Sequence, residues 1–124
     1  MTAFPLLISL LVSHFLADYC LTTPQMIEAK ASGKHTQHIV LHAAVHAVLM
    51  GVVLAVFGVA FTIVLGLVAL ELVSHCLIDY FKGFLSRKYL SLGDNTKKPF
   101  WILYGLDQLL HLMVVVVMVY FSLT

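Results

Sequence analysis

Four long apolar stretches constrain this chain more than any other feature of its sequence. They run over residues 4–22, 38–57, 60–81 and 100–121. Each is about as long as the roughly 20 residues that a helix needs to cross a bilayer. We divide the second from the third near Gly58, because together they would be about twice too long for one span.

A helical bundle is the fold that such stretches predict. Within hydrocarbon only helices and closed barrels satisfy their backbone, and the alternating pattern of barrel strands is missing from this sequence. The prediction is therefore all-α: one integral membrane domain over residues 1–124, built as a four-helix transmembrane bundle with up-down topology.

The composition supports the bilayer as the chain's partner. Hydrophobic residues make up 61% and charged residues 10%, against about 45–50% and about 25% in soluble domains. This excludes a soluble enzyme domain, a disulfide-stapled secreted protein and a disordered chain. A net charge of +1 gives no reason to expect nucleic acid as a partner. A homo-oligomer fits so small a bundle, although no GxxxG pair marks an interface.

The basic residues predict how the bundle is oriented. All seven lie in the loops after the first and third stretches: Lys30, Lys34, Lys82, Arg87, Lys88, Lys97 and Lys98. The positive-inside rule places these loops in the cytoplasm and both termini on the other side. No cleavable signal peptide is evident at the N-terminus.

The first loop carries the signals of a short interfacial helix. Thr22, Thr23 and Pro24 are helix start signals: Thr22 and Gln25 have the spacing of a capping box, and Pro24 suits the first helical position. Gly33 is the expected end of this helix. The second loop, residues 82–98, is predicted to be solvated, with contact to anionic headgroups as the alternative.

Ionisable side chains recur inside the apolar stretches, where each costs roughly 2.5–3.5 kcal/mol near mid-helix. Eight of them form pairs four residues apart: His14 and Asp18, His42 and His46, His75 and Asp79, and Asp107 and His111. Residues four apart share a helix face. At 1.5 Å per residue, all eight lie about 3–16 Å from the loop-bearing ends of their helices, so the bundle brings them to one level.

Imidazole and carboxylate groups together suit zinc, iron or manganese. Four helices that each present a ligand pair follow the same logic as di-metal carboxylate bundles. We therefore predict a divalent-metal site with all eight paired residues as ligands, holding one to three ions, with zinc preferred. Haem is disfavoured, because two axial histidines would leave the carboxylates unused.

Glu71 lies one turn deeper than His75 on the same helix face. A carboxylate there is either a further ligand or a general base toward a water activated by the metal, and we predict the catalytic role. Gln25 and Gln108 are expected to hydrogen bond to the metal ligands.

The motifs resemble those of a known family. His14-Phe-Leu-Ala-Asp18-Tyr19, the His42/His46 pair, His75-Cys-Leu-Ile-Asp79 and Asp107-Gln108-Leu-Leu-His111 are similar to small bacterial and phage membrane proteins. That family is grouped as domain of unknown function 3307. The resemblance covers nearly the whole chain and implies a bacterial inner membrane, without implying an activity. A looser likeness to membrane-bound metal-dependent hydrolases and zinc phospholipases C points to phosphoester chemistry.

Three functional hypotheses follow. The first is a membrane-embedded metal-dependent hydrolase of phosphoester or acyl bonds, with Glu71 or an aspartate as base. Lys82 and the basic loops would attract an anionic lipid headgroup or a nucleotide. The second is a divalent-metal or proton transporter, disfavoured because the outer halves offer little polarity beyond Ser9 and Thr62. The third is a non-enzymatic membrane module with a structural metal site; a polar network without metal is a further alternative.

Overall fold

The computed structural model describes residues 2–124, which form helices joined by short loops and contain no strand. The helices are α1 (Ala3–Phe15), continued by a π-helical turn (Leu16–Cys20), α2 (Pro24–Ser32), α3 (Thr36–Val56), α4 (Phe61–Lys88), α5 (Leu90–Gly93) and α6 (Lys98–Leu123). Four helical units are long and apolar enough to cross a membrane: α1 with its π turn, α3, α4 and α6. The predicted all-α, four-span fold is confirmed.

One helix extends well beyond its predicted stretch at the loop-side end: α4 continues to Lys88, past residue 81. The loop-side ends of the other three spans, at Cys20, Thr36 and Lys98, each lie two residues from the predicted bounds. Lys and Arg are good helix formers, and they suit the last turn of a helix because they face its negative dipole end. Hydropathy alone therefore underestimates α4, because it detects only the part suited to hydrocarbon.

The apolar half of the bundle shows that neighbouring helices alternate in direction. Its core consists of Leu6, Leu10, Met50, Leu54, Val59, Val64, Leu67, Val115, Met118 and Val119. Most of these residues come from the beginnings of α1 and α4 and from the ends of α3 and α6. The same alternation gathers the four ionisable pairs in the opposite half.

The helix predicted in the first loop is confirmed as α2. It begins at Pro24 and ends at Gly33, whose φ of 65° is in the left-handed region that favours glycine. Its capping residue is Thr23, whose hydroxyl accepts a hydrogen bond from the Met26 backbone N–H at 3.3 Å. The prediction that Thr22 caps this helix is wrong, because Pro24 occupies the first helical position and makes the residue directly before it the cap.

Two glycines hold α2 close against α4. A Cβ atom on Gly83 would lie 2.6 Å from the Cα of Gly33 and 2.9 Å from the carbonyl oxygen of Lys30. Only a residue without a side chain fits at this contact. The approach fixes the end of α2 that carries Lys30 over the polar half of the bundle.

Candidate metal centre

The ionisable side chains inside the bundle converge on His75. Its imidazole centroid lies 3.8 Å from that of His46, 4.1 Å from that of His111, 5.2 Å from that of His42 and 6.1 Å from that of His14. We call the following residues the polar cluster: His14, Asp18, His42, His46, Glu71, His75, Asp79, Asp107 and His111. All nine side chains are almost wholly buried. The four pairs, predicted to lie at one level of the bundle, thus form one contiguous cluster together with Glu71.

Two groups within the polar cluster place ligand atoms close enough to hold a metal ion. The first ligand group is Asp18, His42, His46 and His75, and the second ligand group is His75, Asp79 and His111. In each group, one ligand atom per residue lies within 4.8 Å of all the others. These groups contain six of the eight predicted ligands, and His75 belongs to both.

The π-helical turn presents Asp18 to the first ligand group. The Leu21 backbone N–H donates to the Leu16 carbonyl at 2.9 Å, across five residues instead of four. Asp18 Oδ1 then lies 3.0 Å from His42 Nε2 and 3.2 Å from His46 Nε2. Turns of this kind are frequent at functional sites, and nothing in the sequence pattern indicates this one.

Lys30 contacts the polar cluster, although the sequence predicts for it only a place in the first basic loop. Its Nζ lies 3.1 Å from both Asp18 Oδ1 and His42 Nε2, and 3.9 Å from Asp79 Oδ1. Burial alone would lower the pKa of Lys30, but the carboxylates of Asp79 and Asp18 raise it above its usual value. The ammonium therefore stays charged and neutralises carboxylates of both ligand groups.

A signal for Lys30 is present in the sequence of α2. Met26 and Ala29 are the buried residues of this helix, and Lys30 follows Met26 by four residues. That spacing puts the ammonium on the face that packs against the bundle. The amphipathic pattern of α2, together with its capping residues, therefore predicts that Lys30 faces the bundle.

The second ligand group holds buried polar atoms that lack hydrogen-bond partners. Across residues 2–124, no partner is present for His75 Nε2, for His111 Nε2 or for either carboxylate oxygen of Asp79. Asp79 Oδ2 lies 3.4 Å from His75 Nε2, and Asp79 Oδ1 lies 3.7 Å from His111 Nε2. Leaving such atoms unpaired costs about 1–3 kcal/mol each, more for a charged group. Two imidazoles and one carboxylate are a suitable ligand set for a divalent ion, and a four-coordinate ion held by these three residues would need one further ligand.

Glu71 lies on the Nδ1 side of the His75 ring, outside both ligand groups. Its Oε1 is 3.0 Å from His75 Nδ1 and 3.9 Å from His46 Nδ1. A carboxylate that accepts from Nδ1 fixes the orientation of the ring and directs Nε2 toward a metal. The geometry therefore favours an orienting role for Glu71 over the predicted catalytic one.

The two remaining predicted ligands, His14 and Asp107, also lie outside the ligand groups. The His14 ring is 4.9 Å from that of His46, and its Nε2 is 3.3 Å from Asp18 Oδ2. His14 packs beside the ligands without joining a group that could share an ion.

Asp107 lies at the edge of the polar cluster. Its Oδ2 lies 3.6 Å from Lys82 Nζ and accepts a hydrogen bond from Gln108 Nε2 at 3.1 Å. The same Gln108 amide lies 3.4 Å from Asp18 Oδ2, in agreement with the donor role expected for it, whereas Gln25, predicted for the same role, is exposed on α2. Asp107 thus links the polar cluster to the basic loop side of the bundle.

The sequence model of a family described as "Protein of unknown function (DUF3307)" matches residues 6–124, a range that includes the whole polar cluster. No curated protein and no solved structure matches the chain. The family match supports the resemblance drawn from the motifs, and the likeness to metal-dependent hydrolases rests on the residue pattern alone.

Proposed function

Because this chain belongs to the DUF3307 family, whose description states no activity, we propose its function from the site: a membrane-embedded, metal-dependent phosphoester hydrolase. The observation that carries the proposal is the second ligand group. His75, Asp79 and His111 bring two imidazoles and a carboxylate together in a buried site, and their facing atoms have no hydrogen-bond partner. This donor set is typical of catalytic zinc, with iron or manganese as alternatives.

In this proposal each residue has a defined task. His75, Asp79 and His111 hold the ion, and Glu71 orients His75 through Nδ1. A bound divalent ion supplies Lewis acidity and makes water a better nucleophile near neutral pH. Lys30 keeps a positive charge within 3.9 Å of Asp79 and lines a cavity on the loop side of the bundle, where it attracts an anionic substrate.

The hydrolysis forms a bond from a water oxygen to phosphorus and breaks the bond from phosphorus to the leaving oxygen. Asp18 is the carboxylate of the cluster that lines a cavity open to the loop side, so we assign it the proton released by the water. Asp18 then passes this proton to the leaving oxygen, while Lys30 Nζ, 3.1 Å from Asp18 Oδ1, stays charged and compensates the negative charge that develops on that oxygen.

The experiment measures bound metal and hydrolysis on the same samples. The purified chain, loaded with zinc, iron or manganese, is compared with the His75→Ala/Asp79→Ala variant by metal mass spectrometry and with bis(p-nitrophenyl) phosphate as substrate. Val73→Ala, on the exposed side of the same helix, is the matched control. We expect about one equivalent of metal or more and turnover in the wild type and control, both lost in the double variant.

Two results would count against the proposal. A wild type that binds none of the three ions would leave a structural polar network as the interpretation. Metal retained without hydrolysis of any phosphoester would favour the structural-metal alternative. The first ligand group offers support for that alternative, because four protein ligands close a zinc shell.

A further inference from the structure

A cavity of about 400 Å³ opens beside the polar cluster on the side of the basic loops. Its walls combine two ammonium groups and three aromatic rings, from Lys30, Lys82, Tyr19, Phe100 and Tyr104. Asp18 of the first ligand group also lines it. This basic cavity joins the cluster to the level where lipid headgroups meet water.

A second cavity, about 380 Å³, lies between α4 and α6 and is almost entirely apolar. Leu77, Leu106 and Leu110 line it, and each is about half exposed on the outer surface of the bundle. In a membrane this apolar groove faces hydrocarbon. Its polar members are Lys82 and Asp107.

Lys82 places the two cavities side by side, because it lines both of them. Its Nζ lies 3.6 Å from Asp107 Oδ2, beyond hydrogen-bond distance, and 5.2 Å from the centroid of the Tyr104 ring. The ammonium therefore keeps donors available for another anion. Phosphate oxygens are strong acceptors for such a group.

We propose that the basic cavity and the apolar groove together bind an anionic phospholipid, with its phosphate on Lys30 and Lys82 and an acyl chain between α4 and α6. This inference rests on the proposed hydrolase function and names its substrate class. The apolar groove beside the basic cavity, with Lys82 lining both, selects a lipid over a nucleotide, because a nucleotide has no hydrocarbon to occupy the groove. Charge complementarity selects an anionic lipid over a zwitterionic one.

Photolabelling of the purified chain in neutral detergent tests the inference. The probes are phosphatidylglycerol and phosphatidylcholine that carry a diazirine in one acyl chain, with glycerol 3-phosphate as a soluble competitor. We expect peptides of α4 and α6 to be labelled at least fivefold more by the phosphatidylglycerol probe. An excess of unlabelled phosphatidylglycerol should compete far better than glycerol 3-phosphate, which offers the headgroup alone.

Matched variants locate the two parts of the site. Leu106→Trp fills the groove and should reduce labelling at least fivefold, whereas Leu109→Trp, equally exposed but outside the groove, should not. Lys82→Gln should reduce phosphatidylglycerol labelling to the level of phosphatidylcholine, and Lys82→Arg should preserve the difference. The metal content of each variant shows whether its fold and site are intact.

The outcomes separate this inference from the proposed function. Equal labelling by both lipids, or no effect of Leu106→Trp in a metal-loaded variant, overturns the lipid site while leaving the hydrolase proposal standing. Stronger competition by glycerol 3-phosphate than by phosphatidylglycerol overturns the role of the groove. Selective lipid labelling in a chain that binds no metal would overturn the hydrolase proposal and leave a lipid-binding protein.

Discussion

At the scale of single residues, His75 is the central residue of the polar cluster. Its Nδ1 faces Glu71 at 3.0 Å, its Nε2 faces Asp79 at 3.4 Å, and it belongs to both ligand groups. An imidazole held at one nitrogen presents the other in a fixed direction. In the proposed metal site, the partner on Nδ1 would therefore affect metal affinity without touching the metal.

Substitutions of Glu71 test this positioning role. Glu71→Leu should lower zinc affinity by about 10–100-fold, because His75 loses its acceptor. Glu71→Gln should change affinity much less, since the amide oxygen still accepts from Nδ1. Competition with a chelator measures the affinity, and Ser74→Ala on the same helix is the control. Normal affinity with abolished turnover in Glu71→Gln would instead support the general-base prediction.

Lys30 supplies the positive charge nearest to the first ligand group. Lys30→Met should destabilise the metal-free protein by about 1–3 kcal/mol, because Asp18 loses a charged partner while remaining buried. Zinc should restore that stability and bind with a higher stoichiometry, because the ion can replace the ammonium. Thermal unfolding with and without zinc measures the effect. An unchanged metal-free protein would show that the contact has no energetic role; Lys30→Arg is the charge-preserving control.

At the scale of helices, two local departures from regular spans shape the site. The π turn at Leu16–Cys20 re-aims Asp18, and α2 folds back onto α4 at the contact between Gly33 and Gly83. Both lie at the loop side of the bundle. The apolar halves of the helices, by contrast, pack as regular α-helices.

Gly83→Ala should disturb the site through α2. A methyl group there overlaps the backbone of Gly33, so α2 must move away and carry Lys30 with it. We expect a loss of about 1–3 kcal/mol of stability and a changed metal affinity. Gly66→Ala is the matched control, because it lies on the same helix with no atom within 4 Å of the added carbon. Equal behaviour of the two variants in thermal unfolding would contradict the tight contact.

At the scale of the whole molecule, the bundle divides into an apolar half and a polar half. The apolar half holds the packed core, and the polar half concentrates buried carboxylates and imidazoles, several of whose atoms lack a hydrogen-bond partner. A ligand that binds only the folded chain stabilises it by mass action. Metal should therefore stabilise the entire bundle as well as its site.

Removal of the metal should lower the stability of the entire bundle. The chain in detergent should unfold at a lower temperature with a chelator than with zinc, by about 2.7 kcal/mol of stability at 100 times the dissociation constant. His75→Ala/Asp79→Ala should show no zinc response. A zinc-induced shift of the same size in the double variant would place the ion elsewhere.

The orientation of the bundle stays a prediction of the positive-inside rule. With Cys20 and Cys76 replaced by alanine, a cysteine at Ser91 in the second loop should react with an impermeant maleimide only from the cytoplasmic side. A cysteine at Thr124 should react only from the opposite side. The reverse pattern would invert the topology and place the polar cluster near the outer face.

Hydropathy and periodicity determined the four spans, the gathering of the four pairs at one level and the helix from Pro24 to Gly33. These features depend on local spacing: about 20 apolar residues set a span, and a step of four sets a face. Metal binding itself stays a prediction, as does the assignment of the eight residues as ligands.

Only the tertiary structure decided how the polar side chains divide. It separates the ligand groups from His14 and Asp107, puts Glu71 on His75 Nδ1, and brings Lys30 to 3.1 Å from Asp18. These distances depend on how each helix is rotated about its axis and how closely it approaches its neighbours. Packing contacts such as Gly33 against Gly83 set both quantities, and such contacts join residues far apart in the sequence.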